Sequence, residues 1–230
     1  GAVDYTSVKG AKEALGASSA HAAALWPMVA VGEKKYYFSA MFAALTAYTD
    51  ANNADVPYES PSNKDLRITA TVLKDGTTVA LDQQQANDVL NANGVITASN
   101  ANGFKSWGIN TAAYPSTTEP KDRWWSVRRC FDWDGNNFIQ TYFQKVDKPG
   151  NKRPIQSIVD SQNIIGNGSV APDYCAGYRV EFRSDENPVT NLLAGHLTVH
   201  TYLAPYIPAE YLENIREYDV DALESAIGGE

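Results

Sequence analysis

Three histidines, two cysteines and a scatter of carboxylates are the residues whose chemistry could be enlisted for catalysis or metal binding. His196 and His200 stand four apart in an alternating stretch. They therefore share one strand face at a separation of roughly 13 Å, which one metal ion cannot bridge. His21 stands alone. Asp132 and Asp134 are two apart in a helical pattern, so they do not face each other as an acid–base pair would. Asp132 is expected to partner Arg128 or Arg129. No serine sits in a G-x-S-x-G elbow, and neither a GxxxxGK phosphate loop nor a dinucleotide fingerprint is present. Cys130 and Cys175 are too few for a disulfide framework and are expected as two free, buried thiols. Trp124, Trp125 and Trp133 suggest sugar or base stacking, but are expected to anchor a core or an interface. The sequence thus assigns no catalytic, cofactor-binding or metal-binding residue, and the chain is not expected to be an enzyme.

Composition narrows the classes further. The chain has 230 residues, 43% hydrophobic and 20% charged, enough to bury a sizeable core. A formal net charge of −8 argues against general nucleic-acid binding, which needs a basic footprint. No stretch approaches about 18 consecutive apolar residues, so membrane insertion is not expected. The start shows no basic-then-apolar leader pattern, and Asn167-Gly168-Ser169 is expected to be a turn rather than a glycosylation acceptor. Charge is unevenly spread. Between Lys121 and Arg153, Lys and Arg outnumber the acids by four, whereas from Pro205 onward Arg216 is the one basic residue among seven acids.

The stretch Trp124–Val146 is expected to be a helix. Val127, Phe131, Phe138, Tyr142 and Val146 fall mostly four apart, with Gly135-Asn136-Asn137 as a weak point. After the turn Lys148-Pro149-Gly150-Asn151, a second stripe of Ile155, Ile158, Val159, Gln162 and Ile165 follows Pro154, which suits a helix start. Together they read as a helical hairpin. Upstream, Val3–Gly16 is expected as a short helix, Ala23–Val31 as a strand that Pro27 demotes to an edge or bulge, and Phe38–Thr49 as a helix before a long loop to Lys64. Leu66–Leu73 reads as a strand. Asp82 is a candidate N-cap for a helix Gln83–Ala92 stopped by Asn93-Gly94. Val95–Ala98 and Ser106–Thr111 read as strands joined by the turn Asn100–Gly103. Downstream of the hairpin, Tyr178–Arg183 and Leu197–Leu203 alternate as strands, Ala209–Glu217 is ambiguous between helix and strand, and Asp221–Ile227 is a last helix. The expected class is α+β: an α/β-layered core domain over 1–118, then a smaller α+β domain over 119–230 with a helical hairpin and antiparallel strands.

With no active site in view, the sequence raises the question of self-association. A strand Leu197–Leu203 at a sheet edge would offer free N–H and C=O groups to another chain, which makes Leu197, Val199, Thr201 and Leu203 interface candidates. The opposed charges add Arg128, Arg129, Lys152 and Arg153 on the basic side and Glu213, Glu217 and Asp221 on the acidic side. Reversing the four basic residues is expected to leave the subunit folded and to block assembly.

Six segments in order resemble the contractile tail sheath family of phages and R-type bacteriocins. They are HAAALWPMVAV from His21, Thr49-Asp50 with the Pro61-Ser62-Asn63 loop, QQQANDVLNANGV from Gln83, WGINT from Trp107, Val127-Arg128-Arg129 opening a long helix, and APYIPAEYLENI from Ala204. Members often carry Arg where Asn110 stands, so no contact of that arginine is carried over. The resemblance covers nearly the whole chain. It implies a core of subtilase-like layout, with further chain ahead of Ala23 and an N-terminal arm. It also implies a structural role: subunits stack as rings of a helical cylinder around an inner tube, and contraction drives the tube through a target cell envelope. Neighbours exchange terminal arms as strands. The implied partners are other copies of the chain, the inner tube protein, and baseplate and tail terminator proteins. The implied location is a virion tail, built in the bacterial host cytoplasm, or an equivalent particle. A carbohydrate- or receptor-binding tail module is the alternative, and an α/β hydrolase a weaker one.

Overall fold

A computed structural model describes residues 2–148 and 152–228. The turn expected at Lys148–Asn151 falls largely outside them. The first half is organised about one strand, Val95–Asn100, hereafter β5, in the order of helices α1 (Val8–Ala14) and α2 (Phe38–Asn52) and strands β1 (Ala24–Leu25), β2 (Met28–Val31), β3 (Lys34–Tyr36), β4 (Ala70–Val72) and β6 (Phe104–Trp107). β5 is buried from Val95 through Ser99. Ile96 and Ala98 face a cluster with Val29, Phe38, Phe42, Leu66 and Ile68, while Val95 packs with Val8 and Leu90. Alternate residues of one strand thus feed two apolar layers, as a sheet covered on both faces requires. β5 pairs parallel with β1 and antiparallel with β6.

The stretch 23–31 is two strands rather than one. β1 joins β5, whereas β2 joins β3 and β4 in a separate antiparallel sheet. The cis Trp26–Pro27 bond lies between them, and Pro27 has no N–H to continue a ladder. Leu66–Leu73 contributes a ladder only over Ala70–Val72; ahead of it, Leu66 N donates to Phe104 O and Thr69 N to Ala30 O, both as single bonds. Helix α2 forms where the Ala-rich run Phe38–Thr49 is expected to be helical and extends to Asn52. Phe38, Phe42, Thr46 and Thr49 are buried on one face, and the two threonine hydroxyls donate to the carbonyls four residues back, at 2.7 and 2.9 Å, so neither is an unmet polar group.

Asp82 caps the next helix reciprocally. Its Oδ1 accepts from Gln85 N at 2.7 Å, and Gln85 Oε1 accepts from Asp82 N at 3.2 Å, a capping box. The helix is not the α-helix expected: it is a π-helix over Gln85–Leu90 and a 3₁₀ turn over Asn91–Asn93. Gly94 ends it at φ +65°, where an added Cβ would lie 2.3 Å from Tyr114 O; only glycine fits both the angle and the space.

The second half holds α3 (Pro120–Arg123), α4 (Trp125–Tyr142), α5 (Lys152–Val170), β7 (Cys175–Glu181), α6 (Val189–Leu193), β8 (His200–Pro205) and α7 (Val220–Ile227). Helix α4 runs unbroken through Gly135-Asn136-Asn137. Packing overrides the weak propensity there: Val127 and Tyr142 are buried on either side, and the Phe138 ring packs tilted against Tyr142, with centroids 4.8 Å apart. Val146, expected at the end of this stripe, is exposed beyond the helix. The expected stripe of α5 is buried at Ile158, Val159 and Gln162, but Ile165 is exposed. Asn167-Gly168-Ser169 is not a turn; it lies inside α5. Tyr178 of β7 fills the space over Gly166, where a Cβ would sit 1.8 Å from its ring.

Candidate self-association surfaces

β7 and β8 form an antiparallel sheet of two strands, in register from Tyr178↔Leu203 to Glu181↔His200, with a bulge between Cys175 and Gly177. The outer side of β7 is met by a side chain. Asn163 of α5 donates from Nδ2 to Val180 O and accepts at Oδ1 from Val180 N, each at 2.9 Å. Among the described residues, no strand lies on the outer edge of β8. That edge is shorter than the sequence suggests. Leu197 and Val199 precede the strand, while Thr201 and Leu203 lie within it. Asn187 explains the late start: its Nδ2 donates to Thr198 O at 2.9 Å and its Oδ1 accepts from Thr198 N at 2.8 Å, so a side chain satisfies the backbone where a ladder was expected.

Beside this sheet, the end of α4, the start of α5 and residues 192–199 enclose a groove of about 1370 Å³ lined by Phe138, Tyr142, Ile155, Phe182, Leu192 and Leu197, with Lys145 and Lys148 also on its wall. Past β8, residues 206–219 have no regular structure, which resolves the ambiguity over Ala209–Glu217 in favour of neither helix nor strand. Leu212 is 92% exposed and Tyr211 80%. Helix α7 is capped by Asp219, whose Oδ1 accepts from Ala222 N at 2.9 Å, yet Val220, Leu223 and Ile227 on its apolar side are exposed. An eight-residue helix is marginal without packing, and within this chain α7 buries no apolar residue. Glu213, Glu217 and Asp221 are likewise exposed.

The basic candidates are placed differently from one another. Arg128 is held by its own chain: it donates to Asp132 Oδ1 from Nη2 at 2.7 Å and to Asp122 Oδ1 from Nη1 at 3.1 Å. The bond to Asp132, assisted by Asp122, raises its pKa. Burial works against the Asp132 charge, but bonds from Arg128 and from His21, whose Nδ1 lies 3.0 Å from Asp132 Oδ2, outweigh it and hold that carboxyl low. Arg129 pairs with both oxygens of Asp50 in α2. Arg128 and Arg129 are therefore not a free basic face, and the expectation that reversing them leaves the fold untouched is corrected: each reversal would set a carboxylate against a part-buried carboxylate. Arg153 is exposed, and the side chain of Lys152 lies outside the described residues. Lys121, Lys145 and Lys148 supply further exposed positive charge in the same segment.

Two polar constellations carry no periodic signal and escape sequence reasoning. In the first, the Tyr178 hydroxyl donates to Asp134 Oδ1 at 2.8 Å and accepts from Gln162 Nε2 at 2.6 Å, joining β7 to both hairpin helices. Burial pushes Asp134 and Tyr178 above their ordinary values. In the second, Arg123 meets Glu210. The two thiols are free and buried; burial pushes the Cys130 thiol up to about 12. His196 lies ahead of β8, and His200 sets its Nδ1 2.7 Å from Glu186 Oε1. Among the described residues, no three His, Cys, Asp or Glu side chains converge as a metal site would require.

The described chain combines layered helices and sheets with a two-stranded sheet of open outer edge and an exposed, partly apolar C-terminal segment. Solved structures share its fold. The chain superposes on a chain of an extracellular contractile injection system, the PVC sheath complex in its contracted state, with a TM-score of 0.79 at 17% identity, covering 96% of this chain and 62% of that one. It matches a chain of the anti-feeding prophage baseplate with a TM-score of 0.75 at 19% identity, covering 88% and 56%, and the anti-feeding prophage helical sheath in its contracted state at 0.69 and 20%, covering 88% and 57%. The fold is therefore that of contractile sheath chains. In sequence, the chain is 29% identical over 172 residues to the tail sheath protein of Burkholderia phage BcepMu, covering 74% of this chain and 36% of that protein. The resemblance to the contractile tail sheath family stands on both. No family model matches. The chain spans about a third of the curated relative and about three fifths of the solved chains.

Proposed function

We propose that this chain is a structural subunit of a contractile tail sheath, which polymerises as a helical cylinder around an inner tube and shortens to drive that tube through a cell envelope. The observation that carries the reading is the segment 206–228, which holds nine large apolar side chains in solvent beside a strand edge without a partner, in a fold shared with sheath chains. An isolated subunit gains nothing from such a surface; a polymer covers it. Contacts that repeat head to tail without closing generate a filament. The chain works here as two units, a layered core over 1–118 and an assembly domain over 119–230, with Thr201 and Leu203 at the strand edge and Glu213, Glu217 and Asp221 on the arm. Its partners are further copies of itself, the inner tube, and the baseplate and terminator that bound the cylinder, in a virion tail or equivalent particle. The role is mechanical and uses no catalysis. A sugar-binding reading is not supported by the tryptophans: Trp124 is buried and Trp125 packs on Phe42 at 5.9 Å.

Electron microscopy of the concentrated protein, alone and with the cognate tube protein, tests this reading. Rings or tubes are expected. Persistent monomers in both samples, with a matching sedimentation coefficient, would overturn it.

A further inference from the structure

The arm is not wholly loose. Between Tyr206 and Tyr218, Glu210 is the one side chain that bonds the rest of the chain among the described residues. Its Oε2 accepts from Arg123 Nη2 and its Oε1 from Asn110 Nδ2 at 3.3 Å. The receiving groups are also held by contacts that do not involve Glu210. Arg123 Nε donates to Asn110 Oδ1 at 3.0 Å. The guanidinium lies 4.5 Å from the Tyr114 ring and 3.9 Å from the Trp124 ring, where cation–π attraction holds it. Asn110 is 2% exposed, and its backbone is bridged to Trp124. A guanidinium held over two aromatic rings, with an amide donor beside it, is a two-point receptor for a carboxylate.

We propose that this socket is a latch: Glu210 parks the C-terminal segment on its own subunit, and the segment must leave the socket before it can serve another copy. The inference rests on the polymer reading above, because a parked arm matters only where arms are shared. The physical case is one of root and tip. β8 ends at Pro205, so pinning position 210 limits the directions in which Tyr211, Leu212, Ile215 and α7 project, and it ties the root of the arm to Arg123 and Asn110 of its own subunit. Removing the pin frees the arm to search. One charged contact with a half-exposed carboxylate is weak enough to open readily and is screened by salt.

Nitroxide labels on Ser116→Cys and Leu212→Cys report the latch in the monomer by pulsed electron resonance; the native thiols are buried and do not compete. A narrow distance distribution is expected in the parent and a broad one in Glu210→Ala, with high salt broadening the parent in the same way. In unlabelled protein, Glu210→Ala is expected to shorten the lag of self-assembly several-fold. An unchanged distribution in Glu210→Ala overturns the latch, and so does an unchanged or longer lag. Broadening without any polymer, under conditions where parent and variant are both given the tube protein, supports the latch at the monomer level and counts against the sheath reading instead.

Discussion

Arg129 in α4 grips both carboxylate oxygens of Asp50 in the last turns of α2. This pair ties α4 to α2, the helix that supplies Phe38 and Phe42 to the first apolar cluster. Both side chains are largely shielded, 24% and 16% exposed. The geometry is bidentate, the strong form of an ion pair. Removing one partner would strand the other charge, which costs more than the pair itself contributes. Asp50→Ala and Arg129→Ala should each lower stability by about 2–4 kcal/mol, between the values for exposed and fully buried pairs. Urea unfolding reads this. A loss under about 0.5 kcal/mol, the ordinary surface range, would show that the tie carries no load.

Two glycines in the same helix should respond with opposite signs. At Gly168 nothing lies within 4 Å of a new Cβ, whereas at Gly166 the Tyr178 ring lies 1.8 Å away. Ala is favoured over Gly inside a helix by about 0.8–1 kcal/mol. Gly168→Ala should therefore raise the unfolding midpoint. Gly166→Ala should lower it, through a loss of stability of about 1–3 kcal/mol for forcing an overpacked contact, and should also disturb the Tyr178–Asp134 bond. Equal effects at the two sites would refute the close approach of β7 to α5.

Asp134 sets a pH dependence whose direction follows from its environment. Burial raises its folded pKa above the ordinary 3.8, against the lowering effect of the Tyr178 bond. A carboxyl with a raised folded pKa contributes stability that is full below its unfolded pKa and is lost as pH rises through the folded value. Asp134→Asn keeps an oxygen for the Tyr178 hydroxyl and cannot ionise. Its stability relative to the parent should improve as pH climbs from about 3.8 through the raised value, then level off. Urea midpoints of both proteins from acid to neutral pH give the comparison. A difference that stays flat across that range would mean that Asp134 is not desolvated.

The parts of this fold that local chemistry specifies can be read from the sequence. Asp82 as an N-cap, the stop at Asn93-Gly94, the Ala-rich run from Phe38 to Thr49, and the alternation about Val180 all state their element within a few residues. The sequence narrows the partner of Asp132 to Arg128 or Arg129, and the structure selects Arg128. What cannot be read is decided by side chains that arrive from far away. Asn163 closes the edge of β7, and Asn187 takes the backbone of Thr198, so a regular alternation from Leu197 yields a ladder only from His200. Pro27 signals a break in a strand but not that the two pieces enter different sheets. Arg129 and Asp50 are 79 residues apart and Arg123 and Glu210 are 87 apart; charge counting finds the segments but not the pairs, and it mistakes Arg128 and Arg129 for a free face.

That distinction decides how the electrostatics of assembly should be tested. Glu213, Glu217 and Asp221 are exposed and, among the described residues, make no ion pair, so reversing all three to Lys should leave the urea midpoint within about 0.5 kcal/mol. Arg128→Glu and Arg129→Glu should instead lower it sharply, because each new carboxylate faces Asp122 and Asp132 or Asp50. In assembly the ranking inverts in meaning. On the proposed polymer reading, the acidic triple reversal removes attraction between the arm and exposed cations such as Lys145 and Lys148 on a second copy. Each such contact is worth only about 0–1 kcal/mol, but a cylinder repeats it at every subunit. Polymer yield should fall in the triple variant while the monomer stays intact. In the parent, yield should fall as added salt shortens the Debye length below about 8 Å. Normal polymer from a folded triple reversal at low salt would place these acids on a solvated face and leave the apolar side chains of the arm as its whole means of attachment.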